Sequence, residues 1–247
     1  FLIGLFIIYI LTKLDISIFE KYSNKLLLVC FILLILVLIP GIGKVRNGSR
    51  SWFGIGSFGI QPSEFAKIIL IMFLASFYDK HKENLDNIKT LIIPIIFAII
   101  IFGLVVLQPD LGTAMMLVFM SVAVFFLVGV QIWKFILLTL IGIGSFPVIW
   151  SLLHDYQKKR VLTFLNPESD PLGAGYHISQ SKITLGSGGF WGKGFMQGTQ
   201  KRLNFIPEDH TDFIFTVFAE EFGFFGSLIL FALYTLVIGY GFLISAR

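Results

Sequence analysis

The sequence has a single cysteine, Cys30, in 247 residues. This excludes an internal disulfide and any metal site built from several cysteines, and leaves Cys30 as a packing residue within an apolar helix. Charge is also scarce. Asp, Glu, Lys and Arg make up 14% of the chain, where soluble domains carry about a quarter. Hydrophobic residues reach 56%, with 28 phenylalanines, so the chain is an integral membrane protein. No tandem repeat or low-complexity tract stands out. The apolar runs are too long and too free of alternation for a β-barrel, which leaves helices. A Walker phosphate loop is missing too: in "GSGGFWGKG", Gly186 to Gly194, the lysine Lys193 is followed by glycine where Ser or Thr is required.

What is present is a set of apolar segments, most of them near the roughly 17–25 residues that cross a bilayer, with the first cut short. They are Phe1–Leu11, Leu26–Ile42, Ser63–Tyr78, Leu91–Leu107, Leu111–Val130, Trp133–Leu153 and Phe213–Ile244. The expected fold class is therefore an all-α polytopic bundle with about seven transmembrane segments. The last segment is long for one span, and Gly223, Gly226, Gly239 and Gly241 can bend it or admit close neighbours. The chain opens on Phe1 inside an apolar run and ends at Arg247 directly behind another. It reads as a fragment of a longer polytopic protein, with residues 1–247 forming one membrane domain.

Alternating spans divide the connections into two sets. Residues 12–25, 79–90 and the turn near Gln131 carry Lys13, Lys21, Lys25, Lys80, Lys82, Lys89 and Lys134. Residues 43–62, 108–110 and 154–212 carry Lys44, Arg46, Arg50, Lys158, Lys159, Arg160, Lys182, Lys193, Lys201 and Arg202. The positive-inside rule weights short loops and exempts long ones. Without 154–212 the first set has the excess and is cytoplasmic. The opposite face is then basic, which suits an anionic ligand or lipid head groups.

Charges at membrane depth are costly and mark functional candidates. In "GSRSWFGIGSFGIQPSEFAKIILI", Pro62 suits a helix start, and Glu64 and Lys67 share a face three residues apart. That pair serves as a structural lock or as part of a site. Trp52 is an interfacial belt residue or a substrate contact. Asp110, in "LQPDLGTAMML", either caps the next helix or belongs to a site. The long connection 154–212 is too aromatic to be disordered, and its glycines and Lys193 offer donors to a phosphate. Asp212 stands where this connection meets the last apolar run, at the edge of water. Glu220 and Glu221 lie roughly 12–13 Å deeper along a helix, too far to share a reacting centre with it. Glu221 is expected as a buried partner of Lys67 or of backbone groups. His210 is a base by type, or a surface residue.

Four motifs, in order, resemble the SEDS family of bacterial membrane glycosyltransferases (shape, elongation, division and sporulation). They are "GSRSWFGIGSFGIQPSEFAK", "QPDLGTA", "NPESDPLGAGYHISQSKITLGSGGFWGKGF" and "GTQKRLNFIPEDHTDFIFTVFAEEFG", together about a third of the chain. "DPLGAGYHISQSK" and "GTQKRL" look like the elongation branch more than the division branch. Family members have about ten spans, which implies that the first and the last ones lie outside this sequence. The resemblance also implies that 154–212 is the large extracellular loop, in a multi-pass protein of the bacterial inner (plasma) membrane.

The implied activity is polymerisation of lipid II into glycan strands during cell elongation, with Asp212 in "HTDF" as the key aspartate. The resemblance further implies importance for Trp52, Glu64, Lys67 and Asp110. It brings a class B penicillin-binding protein as partner, beside membrane lipids. A divalent cation, Mg or Mn, is associated with the activity, and Asp212 or Asp110 are its candidate ligands. Neither an organic cofactor nor a nucleic acid is expected. The implied chemistry is a single inverting displacement in which Asp212 acts as base. Arg50, Arg160, Lys193, Lys201 and Arg202 are candidates for the leaving undecaprenyl pyrophosphate. A lipid II flippase, a scaffold for the transpeptidase and a division-specific member remain as rival readings.

Overall fold

A computed structural model describes residues 2–46, 48–55, 58–82, 88–153, 155–166, 174–199 and 213–245. The chain divides into two compact units, Phe1–Ile149 and Trp150–Arg247.

The first unit begins with α1 (Leu2–Lys13) and α2 (Ile16–Leu38). Helix α2 starts ten residues before the apolar run expected from the sequence, so most of the predicted connection 12–25 is helical. Its first turns hold Glu20, Lys21 and Lys25, which propagate a helix as well as leucine does. The helix stops ahead of Pro40 and of Gly41, whose φ is +93°. The expected loop 43–62 is instead a small antiparallel sheet of order β1-β2-β3: β1 (Lys44–Arg46), β2 (Ser49–Ile55) and β3 (Phe58–Ile60). The all-α expectation is corrected here. Val45, Trp52, Phe53 and Ile55 are of the β-branched and aromatic types that suit paired strands, and Gly48, with φ +82°, suits the turn between the first two.

Then follow α3 (Pro62–Lys80), α4 (Ile88–Leu107), α5 (Leu111–Leu127) and α6 (Ile132–Leu152). Pro62 occupies the first turn of α3, where its missing N–H costs nothing. Helix α2 packs on α3 and α4, and α5 packs on both α3 and α4. The core takes Leu27, Cys30 and Leu34 from α2, Ala66, Leu70, Phe73 and Leu74 from α3, Ile101 and Val105 from α4, and Ala114 and Leu117 from α5. Steps of three and four residues place each set on one helix face. Small and hydroxyl residues join this inner face: Ser63, Ser76 and Ser121 are buried. The large aliphatic residues Leu28, Ile32, Ile68, Val118 and Val122 point outward, as lipid-facing helices require.

The second unit holds α7 (Asp155–Leu165), α8 (Ala174–Ser187) and α9 (Ile214–Ser245). The connection 154–212 therefore contains helices of its own. Helix α9 is broken at Gly223, with φ +67° and ψ −164°, a conformation favoured by glycine alone. Of the four glycines expected to bend this segment, Gly223 is the one at which the helix breaks. The turn after α8, residues 188–194, packs into the break. The amides of Lys193 and Gly194 donate to the carbonyls of Glu220 and Glu221 at 3.0 Å each. In the other direction, the amides of Phe224 and Phe225 donate to the carbonyls of Gly189 and Phe190, at 2.9 and 3.1 Å. Four backbone groups orphaned by the break are thereby satisfied.

Among the described residues, Ile16–Leu38, Thr90–Leu107 and Ile214–Ser245 are long and apolar enough to cross a membrane. The chain is a multi-pass membrane protein.

Gly223→Ala is expected to lower stability by about 2 kcal/mol, because a Cβ there meets Gly192 N and Phe190 O in a left-handed backbone. In detergent this corresponds to a fall in Tm of roughly 4–8 °C. Gly239→Ala, where a Cβ meets nothing within 4 Å, leaves the midpoint in place.

Candidate functional site

In the first unit, the polar candidates gather where the sheet meets the helix ends. Asp110 is the N-cap of α5. Its Oδ1 accepts from the Thr113 amide at 3.2 Å, and its Oδ2 accepts from the Thr113 hydroxyl at 2.8 Å and from Gln61 Nε2 at 2.7 Å. The capping role read from the sequence is therefore realised, and the Gln61 bond ties the start of α3 to the start of α5. Two residues earlier, the buried Gln108 donates from Nε2 to the Leu34 carbonyl of α2 at 3.3 Å. Its own carbonyl accepts from the Ser49 hydroxyl of β2. One turn thus stitches α2, α3, α5 and the sheet together.

Glu64 and Lys67 form the expected ion pair at 2.9 Å. Glu64 is 53% exposed and Lys67 18%, so the carboxylate remains open to water. Trp52, on β2, lies under the Arg46 guanidinium, 5.0 Å from the ring centroid. The ring also covers Gly59 of β3, where a Cβ would come within 2.9 Å of it. Arg50 Nη1 donates to the Leu38 carbonyl at 3.4 Å, a weak bond at the end of α2.

In the second unit, Lys193 does meet an anion, but that anion is Glu220. Lys193 Nζ lies 2.7 Å from Glu220 Oε1 and also donates to Ser187 Oγ at 2.9 Å and Thr199 Oγ1 at 2.8 Å. Glu220 is fully buried, and the same Oε1 accepts from the Thr199 amide and hydroxyl at 2.9 and 3.1 Å. The amides of Lys193 and Gly194, expected to face a phosphate, are donated to the broken helix instead. Glu221 is buried and its carbonyl accepts from Gly194. Its expected partner Lys67 pairs with Glu64 in the first unit. Asp212, His210, Lys201 and Arg202 lie outside the described residues, as does the side chain of Arg160, whose backbone falls in α7.

The residues that sequence reasoning passed over are Gln108, Gln61 and Thr199; Glu220 figures in it for its depth alone, with no partner assigned. Gln61 and Gln108 sit inside the quoted motifs, each beside a proline at a helix end. That position was the available signal. Nothing in the adjacent pair Glu220-Glu221 tells which carboxylate meets a lysine; the break two residues later decides it.

A divalent cation is a poor fit at Asp110. A hard cation takes about six oxygen ligands, whereas both Asp110 oxygens already accept protein hydrogen bonds. Among the described residues, no cluster of three His, Cys, Asp or Glu is suited to hold a metal.

Removing one partner of the Lys193–Glu220 pair leaves a charge in a buried site. Lys193→Met is expected to cost about 3 kcal/mol, read as a lowered Tm in detergent. The double variant Lys193→Met, Glu220→Gln, with no stranded charge, should recover more than half of the loss. Additive losses in the two single variants would rule out coupling.

Comparison with known proteins places this arrangement. The chain is 42% identical, over 99% of its length, to the peptidoglycan glycosyltransferase MrdB of Escherichia coli K12. It is 40% identical, over 97% of its length, to the stage V sporulation protein E of Bacillus subtilis. It spans 65% of the length of each of these relatives. Among solved structures, a peptidoglycan synthase complex described as coordinating polymerization and crosslinking is similar at TM-score 0.72 and 31% identity. That match covers 96% of this chain and 65% of the other. The rod shape determining protein RodA of Thermus thermophilus is similar at TM-score 0.60 and 28% identity, covering 96% and 60%. Residues 1–247 match the profile of the cell cycle proteins FtsW, RodA and SpoVE, and the chain belongs to that family.

Proposed function

We propose that this chain is part of an elongation-type peptidoglycan glycosyltransferase that polymerises lipid II in the bacterial inner membrane. The observation that carries this reading is 42% identity along 99% of the chain to a protein named for that activity. The seven apolar segments would all be spans, with 154–212 on the outer face. The similarity to a synthase complex that couples polymerization to crosslinking supports a class B penicillin-binding protein as partner.

In this reading, the 4-hydroxyl of one GlcNAc attacks C1 of the MurNAc that ends the growing strand. A C–O bond forms at C1, the bond from C1 to the lipid diphosphate breaks, and the hydroxyl proton passes to Asp212. The linkage changes from α to β in one inverting step. Cationic side chains stabilise the charge that develops on the diphosphate. Arg50, Arg160, Lys201 and Arg202 are the candidates, because Lys193 is neutralised by Glu220. Trp52 lies on the sheet with Arg50 and offers a ring face to a sugar. Glu64, Lys67 and Asp110 support the helix starts, and His210 stands two residues from the proposed base. No step is routed through a cation.

Purified Asp212→Asn protein with its transpeptidase partner is expected to polymerise labelled lipid II 10²–10⁴-fold more slowly, as loss of a general base does. Retained polymerisation in that variant removes Asp212 as base. Lipid II translocation without polymerisation by the native protein in proteoliposomes replaces the enzyme reading with a flippase.

A further inference from the structure

The small sheet carries charge of one sign. Residues 39–63 include Lys44, Arg46 and Arg50 and no Asp or Glu. Lys44 and Arg46, two apart on β1, share a face of that strand. The pairing with β2 is irregular beside them. Val45 pairs with Arg50, but Lys44 pairs with Trp52 and not with Ser51. A shift of this kind re-aims a side chain. Ser51 is buried and accepts from the Ser49 hydroxyl at 2.9 Å, while Trp52 is brought opposite Lys44. A cavity of about 110 Å³ opens here, lined by Lys44, Arg46, Trp52, Phe53 and Gly59 among others. The Arg46 guanidinium lies 5.0 Å from the Trp52 ring centroid. Gly59 lets the three strands close around the cavity. A Cβ there would come 2.9 Å from the indole and 3.5 Å from Arg46 Nη1. Lys44 and Arg46 are exposed, and among the described residues no carboxylate pairs with Lys44.

We propose that this cavity is a subsite for one small oxyanion of the lipid-linked saccharide, a carboxylate or a single phosphate group, held by Lys44 and Arg46. The inference rests on the polymerase reading above and adds a binding site to it. Size selects the class of group. The cavity has room for roughly four water molecules, which suits one oxyanion and is too little for a sugar ring. Charge selects the sign, because two cations line the cavity and the segment that builds it has no acid. Geometry suits the guanidinium, whose fork of donors matches carboxylate and phosphate oxygens. Its contact with the indole holds it beside the cavity before any ligand arrives. The subsite adjoins Trp52, so an anion bound there brings the sugar that carries it to the ring.

Calorimetric titration of the full chain in neutral detergent tests the site without turnover. Two probes separate the sources of the anion: inorganic phosphate, and a soluble muramyl peptide with free carboxylates. The double variant Lys44→Ala, Arg46→Ala is expected to weaken binding of at least one probe about tenfold or more. Both residues are exposed, so its Tm should stay at the native value. Lys44→Glu alone, which leaves Arg46 on the indole, should weaken binding as well. Lys21→Ala, Lys25→Ala, at the other end of α2, should leave it unchanged. The probe whose binding is lost names the group. In lipid II polymerisation with the transpeptidase partner, the Lys44, Arg46 variant should raise KM by more than it lowers kcat. Failure of both probes to bind the native chain overturns the subsite, as does equal weakening in the two double variants. A native KM in the Lys44, Arg46 variant overturns its assignment to the substrate. Probe binding by a chain that polymerises nothing keeps the anion site and removes the polymerase reading.

Discussion

A helix that breaks inside a membrane protein leaves carbonyls on one side and amides on the other without partners. In lipid each such group costs several kcal/mol, and water is not there to compensate. The second unit is organised around this demand. Glu220 and Glu221 present the freed carbonyls, Phe224 and Phe225 the freed amides, and the turn 188–194 bonds to all four. Such close approach leaves no room for side chains. A Cβ on Gly188, Gly192 or Gly223 would run into the opposing backbone. The glycine-rich motif that resembles a phosphate cradle thus cradles a helix.

The same contact accounts for a buried carboxylate in an apolar segment. Once the turn is docked, Lys193 reaches Glu220, and Thr199 adds an amide and a hydroxyl. Three donors and a positive charge make burial of Glu220 tolerable. Thr199 and α9, which flank the segment bearing Asp212 in sequence, are tied to this one carboxylate. In the proposed reaction the pair acts on the frame of the site, and the substrate diphosphate is left to other cations.

The first unit uses a different device. Its helices are apolar on every side, so hydrophobicity alone does not choose which face turns inward. Small residues such as Ala66, Ala114 and Ser63 allow close packing, and polar side chains set the register. Gln61 bonded to Asp110, and Gln108 bonded to Leu34 and Ser49, fasten three helices and the sheet at one end.

The sequence by itself determined the membrane class, the approximate positions of the apolar helices and the Glu64–Lys67 pair, and offered the cap at Asp110 as one of two roles. It also carried the motifs of the family. These are local properties: composition, run length and spacing along one helix. The sheet at 44–60, the helices within 154–212 and the choice of Glu220 over Glu221 were decided by the tertiary structure. Each depends on which distant backbone approaches: Gly59 beneath Trp52, Gln61 reaching Asp110, the turn 188–194 entering the break at Gly223. In a chain whose helices are greasy all round, periodicity reports neither neighbour nor depth. Partners tens of residues apart become legible only when folding brings their donors and acceptors within 3 Å.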